Sequence, residues 1–244
     1  MKLTTVDELS DILDKEISWR RVELTTMKFS VKCAKGQELN TRLRASLVLL
    51  YAHWEGFVKK ALTYYLQFVS NQKLVNRELN HCFFAIELKY DLKLFSESKK
   101  NTVHTQIVND MFDKLDEISN IPYKKMIDTK SNLKSELFVE LMKTVGLDYS
   151  DYETEFALID TRLLKVRNEI AHGEAMQALS LTQESYLELH EKIITIVDRL
   201  REQIIESARN KNYMKLTSPS DDASAQFVDE INDSSENNKI LLPI

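Results

Sequence analysis

Apolar residues recur at every third or fourth position along almost the whole chain, the spacing of one face of an α-helix. The longest such run is Leu43, Leu47, Leu50, Trp54, Phe57, Ala61, Tyr65 and Phe68; Leu9, Leu13, Ile17 and Leu24 mark a helix before it. The punctuation that sheets need is scarce. Four glycines and three prolines in 244 residues fall well below the ~12% of average usage. Strands joined by tight turns require both types, so the expected fold class is all-α. An apolar share of 43% suffices for a core and excludes a wholly disordered chain.

The same spacing predicts helices through Phe84, Leu88, Leu92 and Phe95, and through Ile107, Met111, Leu115 and Ile118. Residues Ser119 to Lys130 contain Pro122 and several lysines and read as a loop. Leu133, Leu137, Leu141 and Val145 give another helix, stopped by Gly146 in the position favoured for a left-handed cap. Ser150 and Glu153 have the spacing of a capping box. That predicts one continuous helix from Ser150 through Phe156, Ile159, Leu163, Val166 and Ile170 to Gly173. A last helix is expected to start near Ser180 or Thr182 and to run through Tyr186, Leu189, Ile193, Val197, Leu200 and Ile204.

Periodicity stops near Lys215, and the charge changes there. Residues 217–244 hold six acids against Lys239, which accounts for the whole net charge of −5 and leaves 32 bases and 32 acids before them. The chain therefore divides into a helical domain, residues 1–216, and an acidic tail, residues 217–244, expected to be disordered. The tail ends in Ile240-Leu-Leu-Pro-Ile244, either an untidy terminus or a peptide that docks on a partner. A neutral body has no bulk field for nucleic acid, so an RNA site needs a local basic cleft. Lys124, Lys125 and Lys130 are the candidate RNA-binding lysines, with Lys99, Lys100 and Lys134 in the same class of local runs. The plainer reading of all six is a solvated face.

Other classes are poorly supported. Cys33 and Cys82 are far apart and form neither a disulfide framework nor a zinc pair. His81, His104 and His190 lack partners at ligand spacing, so no metal and no cofactor are expected. There is no glycine-rich phosphate loop. The N-terminus lacks the apolar stretch of a signal peptide, and the run Ala45 to Trp54 is too short to span a bilayer. A cytoplasmic protein without membrane contact is expected.

The chemically richest segment is Arg167-Asn-Glu-Ile-Ala-His172-Gly173. Asn168 and His172 are four apart and share a face, whereas Arg167 and His172 lie roughly 140° apart round a helix. A second helix end would have to meet this one to put both side-chain types in a common cleft. Such a cleft suits RNA cleavage by transesterification. Histidine can take a proton from the 2′-hydroxyl or give one to the departing 5′-oxygen, and arginine can grip the phosphorane oxygens. Taken by itself the spacing fits equally a helix finished by basic residues that complement its dipole. Glu55, beside Trp54, and Asp160, seven residues before Arg167, are candidate carboxylates that orient these groups; simple ion pairs, Glu55 with Arg44 or Lys59, are the alternative.

Arg167-Asn168-Glu169-Ile170-Ala171-His172 resembles the Arg-Asn-x-x-x-His signature of HEPN ribonucleases. Leu47-Val-Leu-Leu-Tyr-Ala-His-Trp-Glu-Gly-Phe-Val-Lys59 and Trp19-Arg-Arg-Val-Glu23 resemble segments of the bacterial branch related to RiboL-PSP proteins; residues 74–130 offer no such likeness. The resemblance implies a HEPN-type antiparallel helical bundle with extra helices, dimeric or of higher order. It implies catalytic Arg167 and His172, supported by Asn168; Glu55 and Asp160 are candidates for further support by their positions alone. The implied activity is a metal-independent endoribonuclease, a toxin or anti-phage effector whose partners are RNA, a second copy and an antitoxin or defence-system protein. Some HEPN relatives are catalytically silent and bind a nucleotide or partner protein, which is the alternative here. The acidic tail is then a candidate RNA mimic that restrains the cleft.

Overall fold

The structure, a computed structural model, describes residues 3–175 and 181–215. Among them there is no strand, and only two isolated bridges occur, Val75 with Ile118 and Leu79 with Met214. The helices are α1 (Val6–Cys33), α2 (Gly36–Asn71), α3 (His81–Glu87), α4 (Lys89–Glu97), α5 (Asn101–Lys114), α6 (Ser135–Thr144), α7 (Lys165–Ala171) and α8 (Gln183–Arg209). The expected acidic tail lies outside the described residues. No helix among the described residues is long and apolar enough to cross a membrane.

Helix α2 is the axis. Every member of its stripe, from Leu43 to Phe68, is buried, and Tyr51, Val58, Leu62, Leu66 and Val69 widen the buried surface beyond one face. A helix apolar over so much of its circumference needs neighbours on several sides. Helix α1 runs antiparallel to it: Arg42 donates to the Ser30 hydroxyl at 2.8 Å, the Tyr64 hydroxyl to Glu16 at 3.2 Å and the Asn71 amide to the Leu3 carbonyl at 3.0 Å. Helix α8 lies antiparallel to α1, through Arg21–Asp198, Lys28–Glu191 and Arg201–Asp14. Its start is Thr182, which caps the Ser185 N–H at 3.1 Å; Ser180 lies outside the described residues.

Two predicted helices are broken. The stripe Phe84 to Phe95 divides at Leu88 into α3 and α4. Leu92 and Phe95 are exposed rather than core, because α4 packs mainly on α5, with Phe95 stacked on His104 at 4.3 Å and Lys114 paired to Asp91 at 2.6 Å. The Ser150–Gly173 helix is three pieces: a 3-10 turn (Ser150–Glu155), a π-helical segment (Leu158–Leu164) and α7. The expected capping box does not form, since the Ser150 hydroxyl donates to Asp148 at 2.5 Å. Tyr152 dictates the tight turn. It is fully buried against Phe138 at 5.1 Å, and its hydroxyl donates to Gln203 at 2.7 Å.

The Gly146 stop is present as predicted. Gly146 has φ +69° and its N–H meets the Lys143 carbonyl at 3.1 Å, while Leu147 N–H meets Met142 at 2.9 Å, which is the Schellman pattern. A Cβ there would stand 2.9 Å from Cys82 Sγ. Gly146→Ala should therefore cost at least about 1–2 kcal/mol, lowering Tm by about 2–8 °C in a chain of this size; an unchanged melt would refute the cap assignment.

Burial also pushes His190 below its ordinary value, against the Glu191 carboxylate 3.6 Å away. The folded state resists a proton that the unfolded chain accepts, so stability should fall as pH drops below about 6.5. His190→Leu is expected to flatten that slope in thermal melts between about pH 5 and 7.5.

Candidate active site

The π-helical segment feeds straight into the Arg167–His172 segment. Ile159, Leu163 and Leu164 all reach the core from it. π-Helical turns are rare and recur at functional sites. They also shift the phase of everything after them. Asp160 therefore does not sit above Arg167 as a regular helix would place it. Its carboxylate instead accepts from the Ser135 N–H at 2.8 Å and the Ser135 hydroxyl at 2.5 Å, satisfying one of the free N–H groups at the start of α6.

Helix α7 ends in a second Schellman motif. Gly173 adopts φ +85°, its N–H meeting the Ile170 carbonyl at 3.1 Å, and Glu174 N–H meets Glu169 at 3.0 Å. His172 is the cap residue and is exposed. Arg44 of α2 closes the end by donating to the Glu174 carbonyl and, at 3.5 Å, to that of Ile170. Arg44 is thus not the partner of Glu55.

A hollow of about 380 Å³ opens beside this end, lined by Lys134, Asp160, Leu164, Lys165, Asn168, Glu169, His172 and Glu174. It brings Asp160, Asn168 and His172 together. Its charge is mixed, with Lys165 already 3.8 Å from Glu169. Arg167 is not part of it. That side chain leaves the other side of α7, lies 3.9 Å above the Tyr51 ring and donates to the Ser131 carbonyl at 2.7 Å. Its Nε is buried and meets no acceptor among the described residues.

The loop before α6 holds these parts in register. Lys130 and Ser131 both have left-handed backbones, φ 52° and 51°, a conformation that costs non-glycine residues energy. The loop is pinned by the Leu133 N–H, which donates to the Tyr51 hydroxyl at 2.7 Å, and by the Asn168 amide, 3.4 Å from Asn132. Burial raises the Tyr51 hydroxyl above its ordinary value; Glu55 adds to this, and Leu133 N–H and Arg167 oppose it. Glu55 is half-buried one turn beyond Tyr51 and has no hydrogen bond or ion pair among the described residues.

Of the candidate RNA-binding lysines, Lys124 and Lys125 are exposed on a short 3-10 turn (Tyr123–Lys125). Lys130 lines a second hollow of about 420 Å³ with Asn132, Lys134, Glu136, Leu137 and Glu140. Lys134 faces both hollows. Lys134 stood among the local basic runs, whereas sequence reasoning missed Lys165 and Tyr51. Lys165 belongs to no such run, and Tyr51 in an apolar stripe looks like plain core. Among the described residues no group of three His, Cys, Asp or Glu side chains converges as a metal site.

An all-helical bundle that presents Arg-Asn-x-x-x-His at a capped helix end is a HEPN-type domain. The RiboL-PSP-HEPN family model matches residues 15–206, including the 74–130 stretch in which no motif of the family stands out, and the chain belongs to that family. No curated protein and no solved structure matches it.

Asp160→Ala tests the cap that this carboxylate makes on α6. Loss of the α6 cap should cost about 1 kcal/mol in denaturant titrations, and no loss would remove that role.

Proposed function

We propose that this protein is a metal-independent endoribonuclease whose site is completed by two copies, with Arg167 and His172 as catalytic residues. The observation that carries the reading is the division within one chain. His172 stands exposed at the capped end of α7 with Asn168 on its face, while Arg167 is held on the far side by Tyr51 and Ser131. One chain does not oppose the two groups, and a second helix end crossing this one supplies the missing partner. Apolar surface available to a second copy exists on α1, where Trp19, Val22 and Phe29 are exposed. Trp19 packs on His53, its ring 5.2 Å away.

In this reading one imidazole takes the 2′-hydroxyl proton as that oxygen attacks phosphorus. The P–O5′ bond breaks, and a protonated imidazole delivers a proton to the departing oxygen. Arg167 forks the non-bridging oxygens as charge gathers there. Products are a 2′,3′-cyclic phosphate and a 5′-hydroxyl. Lys130 and Lys134 border the hollows and would meet flanking phosphates, with Lys124 and Lys125 further out, so binding weakens as salt rises. Unchecked RNA cutting harms any cell, which fits a toxin or anti-phage effector restrained by a partner protein. One observation favours the alternative of a silent module that binds a nucleotide or a protein: the engagement of Arg167 by Ser131.

Purified protein should cut single-stranded RNA in the presence of a chelator and leave cyclic phosphate ends. His172→Ala should lose at least about 100-fold in rate with an unchanged circular dichroism spectrum. Full cleavage by a folded His172→Ala variant, or dependence on added metal, would falsify the proposal, and wild type that never cuts selects the silent module.

A further inference from the structure

We infer that Tyr51 is a positioning residue for Arg167, an inference that rests on the nuclease reading above. Three elements meet in a closed circuit at this tyrosine. Its ring, on α2, carries the Arg167 guanidinium from α7 at 3.9 Å. Its hydroxyl, at the other end of the same ring, accepts the Leu133 N–H of the loop at 2.7 Å. That loop returns to Arg167 through the Ser131 carbonyl at 2.7 Å. The guanidinium thus has its plane set by a ring face and its in-plane direction set by a carbonyl.

The hydroxyl is what makes the circuit more than core packing. Tyr51 is 3% exposed, and a Leu or Phe would bury as much apolar surface. Neither could hold Leu133, and the loop needs holding. Lys130 and Ser131 are adjacent non-glycine residues in the left-handed region, a conformation that persists only when its surroundings enforce it. Leu133 is fully buried just beyond them, so the hydroxyl clamps the loop where its strain is released into the core. If the clamp opens, Ser131 withdraws and one of the two restraints on Arg167 goes with it. Burial keeps the hydroxyl protonated near neutral pH, so the clamp does not change with pH in the range where imidazole titrates.

The test compares Tyr51→Phe and Tyr51→Leu with wild type, each also in an Arg167→Lys background. A lysine cannot use a ring face to orient a planar fork. Tyr51→Leu is expected to lower kcat about 10- to 100-fold with little change in KM, and Tyr51→Phe, which keeps the ring, should recover most of that loss. In the Arg167→Lys background the penalty of Tyr51→Leu should shrink to less than about threefold, as non-additivity demands of groups acting through one another. Equal losses in both backgrounds would overturn the inference. A second readout does not require cutting. The Arg167 side-chain proton resonances should be shifted upfield by the ring in wild type and Tyr51→Phe and return to ordinary values in Tyr51→Leu, and Leu133 amide exchange should accelerate in both variants. Unshifted Arg167 resonances in wild type would also overturn it. Wild type that cuts no RNA but passes the resonance test would sink the nuclease reading and leave the positioning intact.

Discussion

Because the apolar residues of α2 cover more than a single stripe, no one neighbour can shield them. Leaving them in water would forfeit about 25 cal/mol for each Å² of apolar surface, which no other element of this chain could offset. Helix α1 takes one side, α8 another, and α7 with its loop takes a third, where Tyr51 and Arg44 project. The candidate site is assembled on that third side. Arg44 finishes the end of α7, and Tyr51 receives Arg167. Packing and chemistry therefore share one surface of one helix.

Helix ends and the loops beside them fix much of the candidate site. His172 caps α7, Asp160 satisfies the start of α6, and Ser131 lies in the loop between elements. Backbone groups left over at helix termini must find partners, and each partner found fixes a side chain or a loop. Mixed charge around the hollow follows from the same economy, with Asp160 committed to a cap and Lys165 near Glu169.

Much of this was legible in the sequence. The α2 stripe from Leu43 to Phe68 is buried throughout, Gly146 and Gly173 both stop helices with positive φ, and the angular separation of Arg167 and His172 follows from their spacing. Breaks inside helices were not legible. Ser150 and Glu153 have a capping-box pattern, yet the burial of Tyr152 against Phe138 imposes a tighter turn. No local signal marks Leu158–Leu164 as π-helical. Tyr51 escaped notice because a tyrosine in an apolar stripe is usually filler, and its partners, Leu133 and Arg167, are distant in the chain.

The π-helical segment has a consequence for how such a chain tolerates length changes. A π turn behaves as a regular helix with a surplus residue. Excising a single position between Leu158 and Leu164 would restore an ordinary helix and leave everything downstream facing nearly as before, because the wider turn already absorbs the extra residue. Arg167 would keep its aromatic seat and His172 its place at the hollow, whereas a deletion within the regular turns of α7 would swivel whatever follows it by roughly 100°. Among single deletions near this helix end, one inside the π segment is thus the one the site tolerates best.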